Sequence, residues 1–266
     1  MSVTLRYLGI ATFEMYTAGG KTLLIDPYIN DSPVCPIKVS DLPPVDLILV
    51  SHGAFDHVGD TAEIAKKFNS QIVCGGDCKL LLLEQGVNPE QIIETTWGLT
   101  VEIHSIRVRP VESHHRSSVT LKDGTMVSAQ PMGFMIYLED GIRIYNSSDT
   151  SIFSDLKLIG ELYKPHIGLI NVTLPDIDAS SEGLPKYLTG EMTPYEAALA
   201  AHWLNLDYAI ACHYTNKDCP DVKQFVNLLE NMKTDNKPYV KPIVLEPGEE
   251  FSYDLNMGHA ANGEAR

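Results

Sequence analysis

The chain has 266 residues, 44% hydrophobic and 21% charged, which suffices for a full core without disulfides and excludes disorder or a collagen-like fibre. With 35 acidic against 20 basic side chains and a formal charge of −15, its field repels nucleic acid and anionic lipid. No apolar run approaches the ~20 residues of a bilayer span, and the opening Met-Ser-Val-Thr-Leu-Arg-Tyr lacks the basic and apolar regions of a signal peptide.

These features lead us to expect a soluble, cytoplasmic protein with a small-molecule substrate and no nucleic-acid or membrane partner; a homo-oligomer is left open. The five cysteines form no paired clusters of zinc-site spacing and read as reduced thiols.

In chain order, short β-like runs come first: Val3 to Leu8, Thr12 to Tyr16, Thr22 to Ile25 and Asp46 to Val50, with Gly19-Gly20 as a hairpin turn. A helical pattern starts at Asp60, with an acid at its head and lysines in its last turn, as the helix dipole prefers. Further strands are expected at Gln71 to Cys74, Thr100 to Arg109, Gly133 to Leu138, Ile142 to Tyr145, Ile167 to Val172 and Tyr208 to Cys212. Helices fit Cys78 to Gln85, Asp155 to Leu162, Pro194 to Leu204 and Val222 to Met232, the third with Thr193 as N-cap and Pro194 at its first position. Hairpins without a strict βαβ rhythm predict an α/β fold of mixed sheets flanked by helices. We expect one domain over 1–256, a loop insertion at Pro175 to Thr189, and a disordered tail over 257–266.

The stretch Val50-Ser51-His52-Gly53-Ala54-Phe55-Asp56-His57-Val58-Gly59-Asp60 places three potential metal ligands, His52, Asp56 and His57, between a buried strand and a helix. Other strands also end in donors: Ser113-His114-His115, Ser148-Asp149-Thr150 and Cys212-His213-Tyr214. Strand ends converging on one sheet edge are where open α/β architectures place their sites.

Six motifs, Leu8-Gly9, Ile25-Asp26-Pro27, the His52 to Asp60 loop, Ser148-Asp149-Thr150, Glu191-Met192-Thr193-Pro194 running into Glu196-Ala197-Ala198, and Cys212-His213-Tyr214, follow in order the pattern of metallo-β-lactamase-fold hydrolases. More narrowly, the chain resembles the branch that includes L-ascorbate-6-phosphate lactonase. The resemblance implies an αββα four-layer sandwich, two mixed sheets face to face with helices outside. It also implies two metal positions, one held by Asp56, His57 and His213, the other by His52 and one of His114 or His115, with Asp149 bridging. We favour His115, which has Ser113 before it and Ser117 after it as in the family.

Two departures stand out: Ala54 replaces the middle histidine of the family's loop, and Ile10 replaces a common histidine after Leu8-Gly9. A methyl group coordinates nothing, so one metal is expected to bind tightly and a second weakly or not at all. The donor set suits zinc or manganese, with iron or nickel also compatible. The expected activity is metal-dependent hydrolysis of a lactone or phosphoester, with Asp56 holding the attacking water. Asp26 would fix a ligand histidine, or is simply a turn residue before Pro27. Arg116, Asn146 and Tyr214 are adjacent to ligands and would either grip an anionic substrate or serve as structural neighbours. The competing reading is a catalytically degenerate protein of the same fold that binds a metal or metabolite without turnover.

Overall fold

A computed structural model describes residues 2–173, 190–232 and 239–255. Within them the strands are β1 (Ser2–Gly9), β2 (Thr12–Tyr16), β3 (Thr22–Ile25), β4 (Leu47–Leu49), β5 (Gln71–Cys74), β6 (Ile92–Glu94), β7 (Val101–Ile103), β8 (Ile106–Glu112), β9 (Val119–Thr120), β10 (Met126–Val127), β11 (Met132–Tyr137), β12 (Arg143–Asn146), β13 (Ile167–Asn171), β14 (Tyr208–Cys212), β15 (Lys241–Ile243) and β16 (Glu250–Asp254). The helices are α1 (Phe55–Val58), α2 (Thr61–Phe68), α3 (Gly76–Glu84), α4 (Leu156–Tyr163), α5 (Pro194–Trp203) and α6 (Pro220–Asn231). The insertion expected at Pro175 to Thr189, and the tail, lie outside the described residues.

One seven-stranded sheet has the order β16-β1-β2-β3-β4-β5-β6 and the other β15-β14-β13-β12-β11-β8-β7. Both are mixed: β3 to β6 run parallel, as do β12 to β15, while the remaining pairs are antiparallel. The period-two alternation of strand side chains splits the first sheet cleanly. Leu23, Ile25, Leu47 and Leu49 join the core shared with the second sheet. Leu24, Ile48 and Ile72 pack instead with Ile64, Ala65, Cys78 and Leu82 of α2 and α3. The second sheet carries α4 to α6 on its outer face, with Leu156, Ala197, Ala201 and Phe225 in the same core. The result is the αββα sandwich.

The run expected as one strand from Thr100 to Arg109 is instead a hairpin, β7 and β8, turning through His104 and Ser105 at φ 52° and 65°. The edge strands β6 and β15 are only three residues long, too short for a period to show, and β16 opens and closes on acids. Residue Gly59 ends α1 at φ 31°, and a side chain there would collide with the Pro27 carbonyl that accepts from Asp60 N at 2.8 Å. Asp60 also accepts from the backbone of Ile29 and Asn30 at 2.7 and 2.9 Å, pinning the loop after β3 to the loop after β4.

We expect Gly59→Ala to destabilise the protein by about 1–3 kcal/mol, read as a lower denaturant midpoint at unchanged slope. An unchanged midpoint would mean that the Pro27 loop yields at no cost.

Candidate metal centre

The strand ends meet at one edge of the sandwich. β4 gives way to Ser51 and His52, and the single turn of α1 is closed by Ala54 O, which accepts from His57 N at 3.0 Å and Val58 N at 2.9 Å. That turn brings Asp56 to 3.9 Å from His57 Nε2. From the second sheet, the loops after β8 and β12 are joined: Ser113 Oγ donates to Asp149 O at 2.7 Å, and His114 N donates to Thr150 Oγ1 at 2.8 Å. His213 follows β14 at φ 68°, its N–H held by Ile10 O at 2.7 Å.

Four imidazoles share one arrangement. His57 Nδ1 lies 2.9 Å from Asp26 Oδ2, His115 Nδ1 3.0 Å from Gly190 O, His213 Nδ1 3.1 Å from Thr173 O and His52 Nδ1 3.0 Å from Ser51 Oγ. An acceptor at Nδ1 places the proton there and leaves the Nε2 lone pair free, the state a ligating histidine needs. Asp26 is fully buried and accepts also from Ser51 N at 2.8 Å and Ser51 Oγ at 2.7 Å, so it organises two histidines at once.

All four Nε2 atoms converge on Asp149. His57 is 3.1 Å from Oδ2 and His213 3.1 Å from Oδ1, while His52 and His115 lie 3.8 and 3.9 Å from Oδ2. The Nε2 atoms of His52, His57 and His213 and Asp149 Oδ1 are buried without hydrogen-bond geometry to any partner. Three donor groups lie within 4.8 Å of one another: His52, His57 and Asp149; Asp56, His57 and His213; and His115, Asp149 and Glu191. Asp26, Asp56, Asp149 and Glu191 are all buried, yet among the described residues no lysine or arginine is. Buried anions with directed lone pairs and no fixed cationic side chain fit a divalent cation.

Glu191 is a candidate donor that the sequence motifs did not single out. It is 8% exposed and its Oε2 has no partner. Sequence reasoning absorbed it into the start of α5, but the cap there is made by Thr193 and Glu196, whose carboxylate accepts from Thr193 N at 2.9 Å. An acid left without a part in the cap was the available signal.

The other candidates separate. His114 turns outward, 2.8 Å from Glu112 Oε1 and stacked on Phe153, which leaves His115 facing the centre. Of the two readings left open for Tyr214, its surroundings match the structural neighbour: it is buried, its ring 5.2 Å from Tyr7 and its hydroxyl donating to Leu245 O at 2.6 Å. Arg116 is exposed and donates to Ser118 Oγ at 2.9 Å. Asn146 is buried with an unpartnered Nδ2. Ile10 fills an apolar cluster with Ala11 and Tyr28 where a donor was wanting, and Ala54 offers only its backbone carbonyl. A cleft of about 580 Å³ opens beside α1, walled by Tyr28, Phe55, Val58, Leu81 and Val119; none of the candidate ligands lines it.

Residues 21–214 match the beta-lactamase superfamily domain. A UPF0173 metal-dependent hydrolase of Methanobrevibacter smithii is 32% identical over 251 residues, covering 94% of this chain and 97% of that protein. Its counterpart in Rubrobacter xylanophilus is 33% identical over 209 residues, 78% and 80% of the two chains. The chain belongs to the UPF0173 metal-dependent hydrolases. Among solved structures, the metallo hydrolase Igni18 of Ignicoccus hospitalis superposes with a TM-score of 0.76 at 23% identity, over 96% of this chain and all (100%) of that one. The isothiocyanate hydrolase from Delia radicum gut bacteria does so at 0.66 and 18%, over 94% and 98%. At such identities these two show the fold alone.

In this UPF0173 hydrolase the protonation states follow from burial and neighbours. Burial pushes His52 well down, helped by the adjacent His57. His57 feels the same burial, but Asp149, Asp26 and Asp56 outweigh it and hold it well above the ordinary imidazole range. In His213 burial is likewise overcome, by Asp149, and the pKa rises to about 9. For Asp149 burial is outweighed by His213 and His57, which keep it well below the carboxylate range. Burial, then Asp149, push Glu191 up to about 7.

Without metal, therefore, protonated His57 and His213 supply the missing positive charge. A histidine with a raised folded-state pKa contributes stability that is complete below its unfolded value and fades as pH rises through the folded one. For His213 the window runs from 6.5 to about 9. We expect the chelated protein to lose thermal stability across that window, while the metal-loaded protein does not, because a cation replaces the protons. Parallel melting curves with and without metal would refute this.

Asp26→Asn sets an amide N–H against His57 Nδ1–H or the Ser51 donors and favours the tautomer with its proton on Nε2. Metal affinity should fall about 10–100-fold, measured by competition with a chelating dye; unchanged affinity would reduce Asp26 to a turn residue.

Proposed function

We propose that this protein hydrolyses a small ester-like bond, in a lactone or a phosphoester, at the centre formed by His52, Asp56, His57, His115, Asp149 and His213. One observation carries the reading: four imidazoles, each with Nδ1 tied down, aim their Nε2 atoms at one buried carboxylate, Asp149. A structural descendant without metal chemistry would have no physical reason to keep unpaired acceptors in its core. A divalent cation, with zinc or manganese best suited and iron or nickel compatible, would supply a water of lowered pKa and polarise the oxygen under attack.

The chain's own groups do the rest. Asp56, at the rim of the buried cluster, orients the attacking water and accepts its proton. Asp149 bridges the two donor sets, and Asp26 fixes His57 and Ser51. Asp56, His57, Asp149 and His213 form one pocket with four donors; in the pocket of His52, His115 and the shared Asp149, Ala54 brings none, which leaves it one donor short on these residues alone. Arg116 at the surface and the unpartnered Asn146 amide are the groups available to an anionic substrate. The formal charge of −15 favours a small metabolite in the cytoplasm over a nucleic acid or an anionic membrane. No helix among the described residues is long and apolar enough to cross a membrane.

The test is turnover of a panel of lactones and phosphodiesters with manganese or zinc, in the wild type and in Asp56→Ala. We expect turnover in the wild type and a loss of roughly 10²-fold or more in the variant. Metal uptake with no turnover in either protein would overturn the hydrolase reading in favour of a binder.

A further inference from the structure

We propose that Glu191 is a metal ligand of the His52 pocket and takes the coordination position that Ala54 leaves without a donor. The inference rests on the metal-dependent reading above and concerns which of this chain's residues complete the centre.

Three independent features carry it. First, one ligand atom each from Glu191, His115 and Asp149 lies within 4.8 Å of the others, close enough for a single ion to bind all three. Second, the residue is buried, 8% exposed, and its Oε2 has no hydrogen-bond partner among the described residues. Third, the residues on either side of Glu191 are tied down. Gly190 O holds His115 Nδ1 at 3.0 Å, and two residues after Glu191 the Thr193–Glu196 cap fixes the start of α5. The same dipeptide thus orients one ligand and supplies another.

The donor count then balances. The pocket around His57 has two imidazoles, His57 and His213, with Asp56 and Asp149. With Glu191 the other pocket also has two imidazoles, His52 and His115, with Glu191 and the shared Asp149. Replacing an imidazole by a carboxylate exchanges a neutral donor for an anionic one, which suits a hard cation such as manganese better than a soft one. The four buried carboxylates of the centre, Asp26, Asp56, Asp149 and Glu191, match the charge of a pair of divalent ions.

The test is manganese titration of the chelated full-length protein, followed by elemental analysis and electron paramagnetic resonance, for the wild type and Glu191→Ala. The wild type should hold about two equivalents and show the spectrum of an exchange-coupled pair. The variant should hold about one, with the six-line signal of an isolated ion.

Melting temperature separates ligation from a structural role. In chelator, Glu191→Gln should match or exceed the wild type, because it removes a buried charge; with manganese the order should reverse. A Glu191→Ala protein that keeps both ions would overturn the proposal, even if turnover were lost, since the carboxyl would then act in proton transfer. A wild type that saturates at one ion would also overturn it. A chain that takes up no cation would instead defeat the metal-dependent reading itself.

Discussion

The constraint on which this structure turns is charge in a dry place. Asp26, Asp56, Asp149 and Glu191 are withdrawn from water at one edge of the sandwich, and among the described residues no buried lysine or arginine answers them. An isolated buried carboxylate costs several kcal/mol even after relaxation. Protons on His57 and His213 relieve part of that cost in the empty protein, and a cation would relieve more. The geometry of the loops follows from the need to bring these groups together.

Holding them costs backbone strain at four positions. Ile10, Asp26, Ser148 and His213 all adopt positive φ, at 52°, 45°, 51° and 68°, and each is itself a candidate or adjoins one in space or sequence. Non-glycine residues in that region carry roughly 1–2 kcal/mol each. Hydrogen bonds hold them there: Asp26 N donates to Leu49 O at 2.9 Å, and His213 N to Ile10 O at 2.7 Å. The apolar side chain of Ile10 therefore does not make its position idle. Its carbonyl places His213, and it also accepts from the Tyr7 hydroxyl at 3.1 Å.

The layered fold was legible because Leu23 to Ile25 and Leu47 to Leu49 are apolar on both faces, as strands between a sheet and helices must be. The ligand loop was legible because donors clustered just where such strands stop. What escaped depended on tertiary approach. The choice between His114 and His115 cannot be made from strand alternation, because β8 ends at Glu112 and both histidines lie beyond the pleat; Glu112 and Phe153 capture the first of them. Tyr214 adjoins a candidate ligand in sequence, yet its ring belongs to the core. Glu191 looked like part of a helix start, and its nearness to His115 arises through a backbone contact spanning 75 positions.

The two donor sets are not independent, because Asp149 belongs to both. Its Oδ1 faces His213, while Oδ2 faces His57 at 3.1 Å and lies 3.8 and 3.9 Å from His52 and His115. A cation held by Asp56, His57 and His213 would take the place of the protons on those histidines, and Asp149, which also faces His52 and His115, would be the group shared with the neighbouring pocket, where a second cation would meet the charge of the first. With a neutral imidazole at position 54 the repulsion would stand unrelieved by that donor. If Glu191 takes that part, its negative charge would oppose the repulsion, so a carboxylate in place of an imidazole would favour a filled pair.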